Sequence, residues 1–187
     1  MNKLFKHLKT IHVHRKYVGE ARRRMKIPFQ GLIHDLSKYS ITELKMCKYW
    51  TGAGSPHEAC RKAIGYSPSW IHHYHRNKHH FQYFWDESED GTIIPIQMPY
   101  KYLIESFCDM VGAGKAYLKD KWTLHSPRDY YVKMCKGKRI MNDKSIFLLE
   151  KLLWGMHEAE SEEAFYKWYG RVRNYLKKNY EAGNTDY

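Results

Sequence analysis

The sequence predicts an all-α, single-domain helical bundle over residues 1–187, and three observations predict it. Apolar residues recur at helical spacing in most segments. Helix-opening signals repeat along the chain: Ser67-Pro68, Ser126-Pro127, and Ser40 followed by Glu43. Only one stretch of any length, residues 86–98, resists a helical reading. With 43% apolar and 16% aromatic residues, the chain can build a packed core. Its 16 Tyr and 6 Trp give that core polar edges.

The elements follow in order. Leu4, Leu8, Ile11, Val18 and Ala21 recur at helical spacing, with His7 and His14 on a neighbouring face. Pro28 opens a second helix that carries His34-Asp35 and stops near Tyr39. Ser40 caps a third, with Glu43 completing a capping box. A Gly/Pro loop over 51–56 precedes a short helix from about His57 to Ile64. Ser67-Pro68 starts the helix bearing His72, His73 and His75, and Arg76-Asn77-Lys78 turns the chain before His79-His80. Asp90-Gly91 followed by Thr92-Ile93-Ile94 reads as a turn with extended flanks, a small hairpin. Pro99 begins a long helix to about Lys119, with Glu105 and Asp109 on one face. Further helices start at Ser126-Pro127 and run over about 143–158 and 161–180, so that a core of about 5–120 is followed by C-terminal helices of about 127–180.

The formal charge of +12 attracts anions: nucleotides, nucleic acid or acidic lipid. Clusters at Arg22–Arg24, Lys133–Lys144 and Arg171–Lys178 each read, taken alone, as a solvated helix face. Four cysteines without C-x-x-C spacing fit reduced, buried thiols. Residues 1–17 carry Lys and His throughout and lack the apolar segment of a signal peptide. No apolar run approaches the roughly 20 residues that span a bilayer. The expectation is a soluble cytoplasmic protein with no membrane partner.

The chemistry concentrates in histidines and carboxylates. His34-Asp35 lies in an apolar segment, Gly31-Leu32-Ile33 before it and Leu36 after. A buried His and a buried Asp both need partners, and a metal ion satisfies both. Lys38 follows one turn on, where it reaches an anion bound to that ion. His72, His73, His75, His79 and His80 crowd nine residues; on a continuous helix they form two stripes, 72/75/79 and 73/80. Asp109 sits among Phe107, Cys108, Met110 and Val111, an expensive place for a charge unless it is paired or ligating. His14, then His34-Asp35, then the histidine cluster, then Asp109 fall on separate helices, as ligands in a helical bundle do.

This order resembles the HD-domain superfamily of metal-dependent phosphohydrolases, whose ligands run His…His-Asp…Asp. His14 matches the first His, His34 and Asp35 the doublet, and Asp109 the last Asp. His34-Asp35-Leu36-Ser37-Lys38 looks like the H-D-x-[GS]-K variant found in two-metal members, among them cyclic-dinucleotide phosphodiesterases and di-iron oxygenases. There, extra histidines hold the second ion, and His73 with His79 or His80 fill those places. Phe81-Gln82-Tyr83-Phe84 stands where cyclic-dinucleotide members carry Gly-Tyr-Pro. The sequence is also similar, from His7 to about Lys119, to an uncharacterised phage and bacterial family of HD-like proteins.

The resemblance implies an HD-type bundle holding one or two divalent ions (Mn, Fe, Mg, Co or Zn) and a phosphorylated small-molecule substrate, a nucleotide or related ester, in phage or bacterial host cytosol. The ions would polarise a phosphoryl oxygen and lower the pKa of a bound water. Lys38 and Arg76 would neutralise phosphoryl charge, and Glu105 would orient a water or a ligand histidine. Asn77, Tyr74, Trp85 and Tyr100 would line a base or sugar pocket. Two other expectations stand beside it: a di-iron oxygenase on the same scaffold, and a non-catalytic basic helical protein that binds nucleic acid.

Overall fold

The computed structural model describes residues 3–29, 33–52 and 54–187. The fold is all-α, with eight α-helices among the described residues and one two-stranded hairpin. The helices are α1 (Lys3–Arg24), α2 (Ile41–Leu44), α3 (Pro56–Ile64), α4 (Pro68–Arg76), α5 (Tyr100–Leu118), α6 (Ser126–Met134), α7 (Asp143–His157) and α8 (Glu162–Glu181). No helix among the described residues is long and apolar enough to cross a membrane.

The opening signals act as expected. The side chains of Ser40, Ser55, Ser67 and Ser161 each accept a backbone N–H three residues on, at the starts of α2, α3, α4 and α8. Pro occupies the first turn of α3, α4 and α6. The hairpin pairs β1 (Trp85–Glu87) with β2 (Ile93–Pro95) antiparallel, Asp86 opposite Ile94, and Gly91 at φ 80° makes its turn.

The core lies between α5 and its neighbours. Leu103, Ile104, Phe107, Cys108 and Val111 of α5 meet Leu148, Leu149, Leu152 and Leu153 of α7 and Phe165 and Tyr169 of α8. On the other side α5 packs along α1, and the two backbones come close at Gly112: a Cβ there would stand 2.3 Å from Val18 Cγ2. The buried stripe of α1 is His7, Ile11, His14, Val18, Ala21 and Arg22. So the histidines share the core-facing stripe instead of flanking it, while Leu4 is exposed and Leu8 half-buried.

The expected helix from Pro28 to Tyr39 is different in the structure. Residues 30–32 lie outside the described set. Ile33 is helical, His34 and Asp35 form a turn, and Leu36–Tyr39 is a 3-10 turn. Asp35 breaks the helix by adopting φ 56°, ψ 20°, the left-handed region, which Asp tolerates better than most residues. Likewise α4 ends at Arg76, so His79 and His80 lie beyond the helix and the two expected stripes do not form.

Candidate metal centre

Residues from four parts of the chain converge under α1 and α5. His14 comes from α1, His34 and Asp35 from the turn after it, His73 from α4 with His79 and His80 just beyond, and Asp109 from α5. His14 Nε2 lies 3.0 Å from Asp35 Oδ2 and 3.0 Å from Asp109 Oδ1. His34 Nε2 lies 3.3 Å from that Asp35 oxygen, 3.2 Å from Asp109 Oδ1 and 3.4 Å from His14 Nε2. Donor atoms about 2.1 Å from one ion stand about 3.0 Å apart when octahedral and about 3.4 Å apart when tetrahedral. The observed separations span that range.

The second oxygen of Asp35 faces the other way. Asp35 Oδ1 is 3.3 Å from His73 Nε2 and 3.6 Å from His79 Nε2. Nitrogens of His73, His79 and His80 lie within 4.8 Å of one another, as do the donor atoms of His14, His34, Asp35 and Asp109. One carboxylate therefore stands between two groups of imidazoles. Asp35 Oδ1, Asp109 Oδ1, His79 Nε2 and His80 Nε2 are all buried without a hydrogen-bond partner despite these short approaches. Buried polar atoms are rarely left so, and cations at the two donor groups would account for all four.

Charge points the same way. Asp35, Asp109, Glu105 and Glu43 surround the cluster, with Arg22 and Lys38 as the fixed cations, a surplus of two negative charges when the imidazoles are neutral. Burial drives the pKa values of His79 and His80 down, favouring the neutral, ligating form. Burial also opposes ionisation of Asp35 and Asp109, but His34 and Lys38 beside Asp35, and hydrogen bonds from His14 and His34 to Asp109, hold both well below the usual carboxylate range. Burial works against a charged His34 too; Asp35, Asp109 and Glu105 outweigh it and raise its pKa.

A supporting layer aims the imidazoles. His34 Nδ1 and His79 Nδ1 each donate to Glu105 Oε1, both at 3.1 Å, which leaves their Nε2 atoms facing the cluster. Glu105 is itself held by the fully buried guanidinium of Arg22. On the other side, His73 Nδ1 lies 3.2 Å from Glu43 Oε2 and 3.1 Å from Ser37 Oγ, turning His73 Nε2 toward Asp35. Glu43 also accepts from His72 Nδ1 at 2.9 Å.

A cleft of about 200 Å³ opens onto this centre, lined by His14, Lys38, His57, His73, His80, Asp109, Tyr117 and Tyr130. Lys38 Nζ is 2.5 Å from Asp35 Oδ2; burial opposes its charge, but Asp35 and Asp109 outweigh that and push its pKa up. His57 hydrogen-bonds Ser69 through Nδ1, and burial, with His73 and Lys38 nearby, lowers its pKa to about 3.

The structure thus brings His14, His34, Asp35, His73, His79, His80 and Asp109 together, with Lys38 at the cleft and Glu105 behind it. Five expected substrate contacts lie elsewhere. Tyr100 is a core residue whose hydroxyl pairs with Tyr169 at 3.1 Å. Asn77 is spent on internal partners: its amide donates to the His73 carbonyl at 2.7 Å, closing α4, and to Ser37 Oγ at 2.8 Å. Arg76 is exposed and Tyr74 packs on Trp70; neither lines the cleft. Trp85 sits on the hairpin and donates to Ile140 O. His75 is exposed.

The sequence reading missed Glu43, Arg22 and His57. Glu43 looked like half of a capping box, and its backbone does fill that role on Ser40, but its carboxylate turns to His72 and His73 instead. Arg22 looked like one of three surface arginines; its signal was its place one turn beyond Val18 on the stripe that carries His14.

Residues 3–154 match the model of the family described as a family of unknown function, DUF5662. No curated protein matches the chain, and no solved structure does.

Proposed function

We propose that this chain, which belongs to the DUF5662 family of unknown function, is a metal-dependent phosphohydrolase with a dinuclear His/Asp centre, acting on a nucleotide or related phosphate ester. One observation carries the reading: the two oxygens of Asp35 face two separate sets of imidazoles. His14, His34, Asp35 and Asp109 suit one divalent ion; Asp35, His73, His79 and His80 suit a second. The likeness of His14…His34-Asp35…Asp109 to the HD pattern supports the same assignment.

When bound, such ions withdraw charge from a phosphoryl oxygen and acidify a coordinated water. The chain's own residues do the rest. Glu105 and Glu43 keep the Nδ1 protons of His34, His79 and His73, so that the lone pairs on Nε2 face inward. Lys38, protonated because Asp35 stabilises its charge, stands at the cleft wall where a phosphoryl group would gain negative charge.

Elemental analysis of purified protein, with a phosphate-release screen over nucleotides after adding back each metal, tests this. Two ions per chain and metal-restored turnover are expected, with Asp35→Asn losing both. Full turnover in metal-stripped Asp35→Asn protein would end the proposal. A second reading, a di-iron oxygenase, draws on the five imidazoles in the ligand set, a nitrogen-rich environment that suits iron. Visible colour, stoichiometric iron and oxygen uptake would favour it over hydrolysis.

A further inference from the structure

The cleft at the metal centre is too small for a whole nucleotide. Its volume of about 200 Å³ falls below that of ordinary ligand pockets, which start near 300 Å³. A second, larger space adjoins it. A groove of about 680 Å³ runs along the next faces of the same two helices, α1 and α5, and shares Thr10 with the cleft. Its walls carry four cations, Lys6, Lys9, Lys115 and Lys119, against two carboxylates, Asp120 and Glu162, together with the rings of Tyr17 and Trp122.

The groove is organised for flat, anionic cargo. Trp122 is pinned in place: its indole lies against Gly114, where a Cβ would stand 3.0 Å from the ring, and Lys115 Nζ sits 4.6 Å from the ring centroid. Lys115 is held in turn by both oxygens of Glu162, at 2.7 and 2.8 Å. Lys115 is thus committed to a partner and serves to fix the ring. Lys9 and Lys119, by contrast, form no ion pair among the described residues, so their charges are available to a ligand. A fixed aromatic plane beside unpaired lysines is the pattern that holds single strands, stacking a base and tracking the phosphates.

We infer that this groove binds single-stranded nucleic acid and leads one of its phosphates to the metal centre, so that the substrate is a polynucleotide strand. The inference rests on the hydrolase reading above for the fate of that phosphate, but the binding itself does not require it. Tyr17 and Trp122 take bases, Lys9 and Lys119 take the backbone, and the narrow cleft beyond Thr10 admits only the phosphoryl group. Strand binding of this kind is sensitive to salt and tolerant of sequence.

Fluorescence anisotropy with labelled oligothymidylate and oligouridylate of about ten nucleotides tests it. Lys9→Glu/Lys119→Glu should weaken binding about tenfold or more at low salt and flatten its salt dependence. Metal content, and turnover of methyl p-nitrophenyl phosphate, a diester much smaller than a nucleotide, should stay as in the unaltered protein. Trp122→Leu should weaken oligonucleotide binding about tenfold through lost stacking. Unchanged oligonucleotide affinity in the double lysine variant would overturn the groove assignment whatever the enzyme does. Displacement of the strand by an equal concentration of mononucleotide would overturn it too, assigning the groove to a single nucleotide. Tight, lysine-dependent strand binding without ester turnover under any metal would instead sink the hydrolase and leave a strand-binding groove.

Discussion

Glu105 serves two imidazoles and a guanidinium with one carboxylate, and its loss would be felt on both counts. Glu105→Ala leaves Arg22 buried and unpaired; the expected cost is about 3–5 kcal/mol of folding stability in denaturant titration. Acid should act along the same line. Burial opposes ionisation of Glu105, but hydrogen bonds from His34 and His79 overcome it and lower its pKa from 4.5 to about 2. Between those values the unfolded chain takes up the proton and the folded chain does not. The contribution of Glu105 is therefore complete above pH 4.5 and lost as pH falls toward 2, which stability curves on metal-free protein would trace. His34 runs the other way: its raised pKa adds stability below 6.5 that disappears as pH climbs past the raised value. Much of this residue scale was legible in sequence. His34 beside Asp35, and Asp109 amid apolar neighbours, are local oddities that burial makes costly without a partner. Glu43 and Arg22 were not legible, because nothing local says which ring across the fold a capping glutamate or a surface-like arginine will meet.

At the scale of elements, the pairing of α1 with α5 sets the distance between His14 and Asp109. Gly112 allows it by letting Val18 approach. Gly112→Ala should force the helices apart, costing about 1–3 kcal/mol, and, if the proposed centre binds two ions, weakening retention at His14 and Asp109 more than at His73, His79 and His80. Metal content by mass spectrometry, compared with His73→Ala, would separate the two. The long helices and the hairpin were readable from periodicity, Ser and Pro openings and Asp90-Gly91. The segment over 28–39 was not. Its apolar run suits a helix, but the turn at Asp35 follows from where the carboxylate must point, a demand made by distant residues. The histidine stripes failed for a related reason. Asn77 spends its amide on closing α4, so His79 and His80 reach the cluster by folding back, which no helical wheel displays.

For the whole molecule, a basic chain encloses an acidic, histidine-lined centre. The net charge of +12 lies outward, while the cluster carries a local excess of carboxylate. Binding of a divalent ion to the folded form alone should therefore stabilise the entire protein. At a hundredfold excess over the dissociation constant the gain is about 2.7 kcal/mol per ion. For a chain of this length that corresponds to a melting temperature about 5–10 °C higher. Scanning calorimetry before and after chelation should show the loss, and Asp35→Asn protein should show none. Overall charge was plain from composition, and so was the all-α class; the inward concentration of acid was not, because composition does not record which carboxylates the fold turns away from water.

The left-handed twist at Asp35 constrains what can replace it. Alanine there removes the carboxylate and also imposes a main-chain penalty of about 1 kcal/mol, so its phenotype would mix two causes. Asparagine accepts the same twist with nearly the same shape and changes only the charge. Position 35 is thereby fenced twice, by the surrounding imidazoles on one side and by local torsion on the other. In any related chain, asparagine or glycine at this point would mark a molecule that still folds but has lost the carboxylate the two imidazole groups share.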